Sequence, residues 1–314
     1  MTIEPPPPAS DIDLSIVVLA WDMLDLTRQC IASIRAQTDA AYELIIVDNG
    51  SQTEAASFAA EAADVAVLNE ENRGFAAGMN QGLAAARGEF VAFVNNDTVL
   101  PDSWSSLLLD AFDTDRSVGI VMPAATAAGN AYTVRQVPGE RVITVPPFTE
   151  IPSAVVYVMR TSTARDLGGW PEEYPVASSE DLDLLFTVWS NGLDVIVDER
   201  VLIQHEAEAT ARSKLPNMGA LWRSNRELFV RKWSGYGDDV CRLATTPPDV
   251  FAANREIARV AAVWMGRWFD AKASATVVRA DRVASGAGTP PSRMALARFL
   301  HDFGHRIRRF GRRG

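Results

Sequence analysis

Cysteine is scarce. Cys30 and Cys241 stand far apart, and neither belongs to a CxxC pair. That leaves no disulfide framework to read, and a reducing, cytoplasmic setting is the simplest inference. No apolar run approaches the roughly 20 residues that a membrane span needs, and no signal-peptide pattern precedes the first strand. Internal repeats are absent. The dinucleotide fingerprint is missing too: Gly74, Gly78 and Gly82 recur at every fourth residue, whereas that fingerprint needs G-x-G-x-x-G directly after the first strand. Glycines at this spacing share one helical face, and close packing on a sheet is the reading they support. Positive charge is in deficit. The net charge is −10, yet Ser292–Gly314 holds seven arginines and one aspartate, so the tail carries +6 and the rest of the chain −16. A body this acidic argues against nucleic-acid binding by its main surface.

With 314 residues, 47% hydrophobic and 22% charged, the composition is that of a globular chain. Residues 1–12, with Pro5 to Pro8, read as an extended lead-in. Residues 13–235 read as one large α/β domain, and 236–314 as a helical C-terminal region. In the tail, Leu296, Phe299, Leu300, Phe303, Ile307 and Phe310 follow a helical stripe with arginines around them. Two readings stand for such a helix: an anchor on anionic membrane surface, or a helix docked on the acidic body or on another subunit.

Short apolar runs alternate with helical patterns through residues 14–122. Leu14–Ala20, Leu44–Val47, Val65–Leu68 and Phe90–Val94 are compact and apolar, as buried parallel strands are. Helical spacing fills the gaps, which predicts right-handed βαβ units and a mostly parallel sheet. Helices are also expected over Pro101–Phe112 and from Glu180, strands over Val118–Met122, Ser153–Met159 and Val195–Val197, and a long irregular loop or lid over 123–152. Cys30, beside Ile31 and Ile34, reads as core.

Chemistry gathers where the strands end. Trp21-Asp22 follows the first, Asp48 the second and Asn95-Asn96-Asp97-Thr98 the fourth, while Glu180-Asp181 opens a later helix. Ligands of open α/β sheets sit beyond the carboxyl ends of the strands. Each residue also has an ordinary structural use. Asp48 suits an Asx turn with Gly50, Glu180-Asp181 suits a helix start capped by Ser178 or Ser179, Trp21 can pack at the rim, and Arg73 can be a solvated charge.

The ordered set Ser15–Asp22, Val47-Asp48-Asn49-Gly50-Ser51, Glu71-Asn72-Arg73-Gly74-Phe75 with Asn80-Gln81-Gly82, Asn95–Thr98, Gly168-Gly169-Trp170, Glu180–Leu184 and His205 resembles the motifs of family 2 glycosyltransferases. The likeness spans roughly residues 13–235 and takes in Ser224-Asn225-Arg226 and Lys232-Trp233. It implies a GT-A fold, a Rossmann-like, mostly parallel sheet flanked by helices. It also implies an inverting transfer of sugar from a nucleotide-diphosphate-sugar donor to a glycan or lipid-linked acceptor. Such an enzyme would work in cell-surface polysaccharide assembly at the cytoplasmic face of a membrane.

Carried over by position, the resemblance gives the donor to Ala20, Trp21, Asp48, Asn72, Arg73 and Asn96, with Trp21 and Asp48 toward the base and Asn96 near the ribose. Asp97 would ligate a divalent cation, Mn or Mg, with His205 completing the metal site. Asp181, second of the Glu180-Asp181 pair, would be the general base. The segment Leu19-Ala20-Trp21-Asp22 departs from the family's usual Thr/Pro-Thr-Tyr-Asn, and two asparagines precede Asp97 where a DXD site would carry more charge. Two rivals are a sugar-1-phosphate nucleotidyltransferase and a catalytically silent nucleotide-sugar scaffold. The first needs a Gly-rich basic loop after the first strand, and Ala20-Trp21-Asp22-Met23 is not one.

Overall fold

The structure is a computed structural model, and it describes residues 11–114, 117–125, 142–145, 155–205 and 218–232. The lead-in, the stretch beyond Lys232 and the basic tail lie outside the described residues.

Along the chain come β1 (Leu14–Ala20), α1 (Leu24–Gln37), β2 (Tyr42–Asn49), α2 (Thr53–Ala62), β3 (Val65–Asn69), α3 (Phe75–Ala85) and β4 (Phe90–Asn95). Then follow β5 (Thr98–Val99), α4 (Trp104–Thr114), β6 (Val118–Ala125), β7 (Val142–Val145), β8 (Val156–Arg160) and α5 (Thr161–Asp166). Helix α6 (Glu180–Ser190), β9 (Asp194–His205) and α7 (Met218–Lys232) complete the described chain.

The strands form one sheet in the order β3-β2-β1-β4-β8-β6-β9-β5, with β7 on β9. The first four are parallel, as their apolar runs predict, whereas β8 is antiparallel to both β4 and β6. Hydrophobic period cannot reveal this reversal, because a strand buried on both faces reads alike in either direction. Side chains alternate between two cores. Val17, Ile45, Val47, Phe93 and Tyr157 pack with α3 and α6, and Ile16, Val18, Ile46, Ala92 and Val94 pack with α1 and α4.

Helix α3 crosses the sheet closely enough to exclude Cβ atoms. One added at Gly78 would lie 2.3 Å from Leu19 Cδ1, and one at Gly82 would lie 2.2 Å from Val17 Cγ1. Gly74 does not share that role. It precedes the helix at φ 91°, in a turn beside Val176. The irregular loop expected over 123–152 needs correction as well: β6 runs on through Ala125, and 142–145 is a strand on β9. Among the described residues no helix is long and apolar enough to cross a membrane.

Candidate active site

Strand register sets the rim. Ala20 of β1 pairs with Asp48 of β2, and Leu19 pairs with Asn95 of β4, so the residues after these strands leave the sheet at one level. Two connections are tied there. The Asp22 N–H donates to Ser51 Oγ (2.7 Å), and the Gln52 N–H donates to Asp22 Oδ1 (2.7 Å). Asp22 and Met23 take φ values of 52° and 47°, a left-handed turn that leads from Trp21 into α1. Trp21 is half-buried beside this junction and Ala20 is buried. Asp48 is 1% exposed. Its Oδ2 accepts from the Ser51 N–H (3.1 Å), the Asx-type contact its surroundings predict, while Oδ1 is buried without a hydrogen-bond partner.

A chain of amides supports the neighbouring loop. Asn49 Nδ2 donates to Asn72 Oδ1 (3.0 Å) and to the Gly74 carbonyl (3.2 Å), and Asn49 Oδ1 accepts from the Arg73 N–H (3.0 Å). Asn69 joins Asn49 to Gln81. The Asn72 side chain is therefore spent on fixing the turn, and it is the backbone at Arg73 that Asn49 holds. Asn49 had no assigned role from sequence; a buried amide at a strand end facing a glycine turn was the available signal. Asn96 is likewise engaged, donating from Nδ2 to Thr27 Oγ1 (3.0 Å) on α1 at 7% exposure.

Asp97 and His205 meet. The two-residue strand β5 pairs Thr98 with His205 on β9, which sets His205 Nε2 3.3 Å from Asp97 Oδ1. Their side chains are 8% and 9% exposed. Among the described residues no group of three or more His, Cys, Asp or Glu is placed to hold a metal. The donor set here is one carboxylate and one imidazole. It fits a cation whose remaining positions are filled by diphosphate oxygens and water, as is usual for hard divalent ions.

Glu180 and Asp181 stand in the first turn of α6. Burial, and then the adjacent Asp181 carboxylate, hold Glu180 well above the usual carboxylate range. Burial also raises Asp181, against the pull of backbone N–H donors such as Leu182 at 2.8 Å. Glu180 Oε2 is buried with no hydrogen-bond partner. The Tyr157 hydroxyl on β8 is too, and burial plus the charges of Asp181 and Glu180 push its pKa up. No serine side chain caps α6; Ser179 precedes it at φ 77° without a side-chain hydrogen bond, so the expected cap is absent.

A mostly parallel sheet flanked by helices on both faces gives the GT-A fold. The chain superposes on S. aureus TarS residues 1–349 with a TM-score of 0.52 at 14% identity, covering 83% of this chain and 81% of that one. On GalNAc-T7 with UDP, GalNAc and Mn2+ the TM-score is 0.50 at 12% identity, covering 62% and 44%. Residues 15–156 match the family model described as Glycosyl transferase family 2. The pre-mycofactocin glycosyltransferase of Mycobacterium tuberculosis is 27% identical over 260 residues, 78% of this chain and 50% of that protein. The glycosyltransferase EpsH of Bacillus subtilis is 36% identical over 105 residues, 32% of this chain and 30% of that one. The chain thus spans about half or less of the curated relatives it matches.

Proposed function

We propose that the protein is a metal-assisted, inverting glycosyltransferase that moves a sugar from a nucleotide-diphosphate donor to the hydroxyl of a glycan or lipid-linked acceptor. The observation that carries this reading is the facing of Asp97 and His205 at the end of β4, 3.3 Å apart and almost wholly buried. A carboxylate and an imidazole held together at the strand ends suit a cation shared with a diphosphate. The cation, when bound, neutralises charge on the departing diphosphate.

The chain's own residues do the rest. Asp48 offers its unpartnered Oδ1 as acceptor to the nucleoside, beside Trp21 and Ala20. Asn49, by holding the Arg73 backbone, sets that residue's direction toward the phosphates. Asp181 takes the proton of the acceptor hydroxyl as its oxygen attacks the anomeric carbon from the face opposite the diphosphate. The bond from that carbon to the phosphate oxygen breaks, its electron pair leaves with the diphosphate, and configuration inverts. A carboxylate raised by burial is a stronger base than an ordinary one, which suits it to a hydroxyl at neutral pH. The neighbouring Glu180, held largely protonated, spares Asp181 a negative charge at the adjacent position.

The test is Asp181→Asn. Turnover should fall by about 10²–10⁴-fold, the usual contribution of a general base, while donor affinity is kept. Turnover equal to the parent's removes Asp181 from this role.

A further inference from the structure

Helix α7 comes last in the described chain, yet one of its faces closes on the turn that carries the two acids. Asn225 is 0% exposed. Its Nδ2 donates to the carbonyl oxygens of Pro175 (3.2 Å), Ala177 (2.8 Å) and Ser178 (3.0 Å). Those carbonyls belong to the segment just ahead of α6, where Val176, Ser178 and Ser179 take φ values of 67°, 89° and 77°. Residues with side chains adopt that region at a cost of about 1–3 kcal/mol each, and it persists only where surroundings over-determine it. A segment so shaped turns its carbonyls away from helix and sheet, so they take donors from elsewhere: the Phe75 N–H meets the Val176 carbonyl (2.6 Å) and the Ala177 N–H the Pro175 carbonyl (2.9 Å). Asn225 supplies one to three of them.

The same face of α7 continues to the acids' other side. Four residues on, Phe229 packs edge-on against Phe186 of α6, with ring centroids 5.2 Å apart. Seven residues on, Lys232 Nζ reaches Asp183 Oδ2 (2.9 Å) in the first turn of α6 and Glu173 Oε1 (2.8 Å). Positions i, i+4 and i+7 share one helix face, so Glu180 and Asp181 sit between two braces from a single helix. The Asn225 Oδ1 is buried without a partner. Exchanging its amide ends would aim that oxygen at three carbonyls, so the orientation is fixed by the turn it holds.

We propose that Asn225 is a positioning residue for Asp181, holding Val176, Ser178 and Ser179 in the left-handed conformation that aims the Asp181 carboxylate at the acceptor. This rests on Asp181 being the general base, and the controls separate the two ideas. In a side reaction with water as acceptor, the anomeric bond to phosphate breaks, a new bond forms to the water oxygen, and the water's proton passes to Asp181. Release of nucleoside diphosphate from a panel of UDP-glucose, UDP-N-acetylglucosamine, GDP-mannose and dTDP-rhamnose with manganese therefore reads the step. Asn225→Ala should lower kcat per folded molecule by about 100-fold, as a displacement near 1 Å can. Affinity for the matching nucleoside diphosphate should stay within about two-fold, the mark of an effect on the transition state alone. Asn225→Ser, which keeps one donor, should fall between, and it carries the test by the same criterion if Asn225→Ala does not fold.

A second readout needs no turnover. The Asp181 carboxyl, followed by ¹³C NMR titration, should move in Asn225→Ser toward the ordinary aspartate pKa as the turn loosens and water enters. A parent-like kcat together with an unshifted Asp181 titration overturns the proposal, even if the variants are less stable; where the parent hydrolyses none of the panel, an unshifted titration alone overturns it. Parent-like hydrolysis by Asp181→Asn instead overturns the base assignment on which the proposal rests.

Discussion

Asp48 leaves one buried carboxylate oxygen without a partner while the other holds the Ser51 N–H. An unsatisfied buried acceptor costs on the order of 1–3 kcal/mol, and a donor group on a bound base would remove that cost. Asp48→Asn keeps the shape and halves the acceptor capacity. Its expected effect is a loss of about tenfold in nucleoside diphosphate affinity, equal to about 1.4 kcal/mol, with unfolding free energy unchanged or slightly higher. Isothermal titration and denaturant unfolding check the two halves. Glu180 supplies a second residue-scale outcome. Its folded-state pKa is raised by burial and by Asp181, so the native state binds more protons than the unfolded chain. Stability is then full below the ordinary glutamate value of about 4.3 and declines as pH rises through the neutral range toward the raised value. Glu180→Gln should flatten that decline, gaining most over the parent at the alkaline end of the range, as Tm measured against pH would show. A gain equal at every pH would contradict the assigned cause.

At the scale of elements, two contacts decide whether the rim keeps its shape. Helix α3 lies against β1 at Gly78 and Gly82, with no room for Cβ atoms. Gly82→Ala should push Val17 or the helix aside and destabilise the protein by about 1–3 kcal/mol, the usual range for overpacking. Because α3 follows the Asn49-held loop, loss of donor affinity should accompany that loss of stability; equilibrium unfolding and titration on the same sample measure both. The other contact is β5 on β9. Only Thr98–His205 and Val99–Gln204 pair there, yet that pairing brings Asp97 and His205 within 3.3 Å. A two-residue bridge leaves no periodic trace in the chain, which is why sequence reasoning could carry the pair over from a resemblance but could not derive it.

For the molecule as a whole, what was legible follows from what leaves a pattern. Apolar runs at 14–20, 44–47, 65–68 and 90–94 announced β1 to β4, and polar residues directly after them announced the rim. The glycine spacing in α3 announced close packing. Strand direction was hidden, since β8 enters antiparallel beside β4 with the same apolar content as its neighbours. The turn before α6 was hidden too, because its left-handed residues are Val176, Ser178 and Ser179 instead of glycines. What stabilises them, Asn225, lies on a helix that sequence order separates from the site. The contact of Lys232 with Asp183 was hidden for the same reason, although the resemblance takes in both Asn225 and Lys232. The pattern that marks their face, Asn225, Phe229 and Lys232 at i, i+4 and i+7, acquires meaning only once α7 is seen against α6.

The central claim is that the strand ends form one pocket for a cation-bridged nucleoside diphosphate. Thermal unfolding of the full chain with UDP, GDP and dTDP, each with and without manganese, tests it most directly. At a hundred-fold excess over Kd, binding adds about 2.7 kcal/mol, which for a domain of this size raises Tm by about 5–10 °C. The account predicts that rise for at least one base, only when manganese is present, and its loss in Asp97→Ala. Stabilisation by no nucleotide, or an equal rise without manganese and in Asp97→Ala, would contradict it.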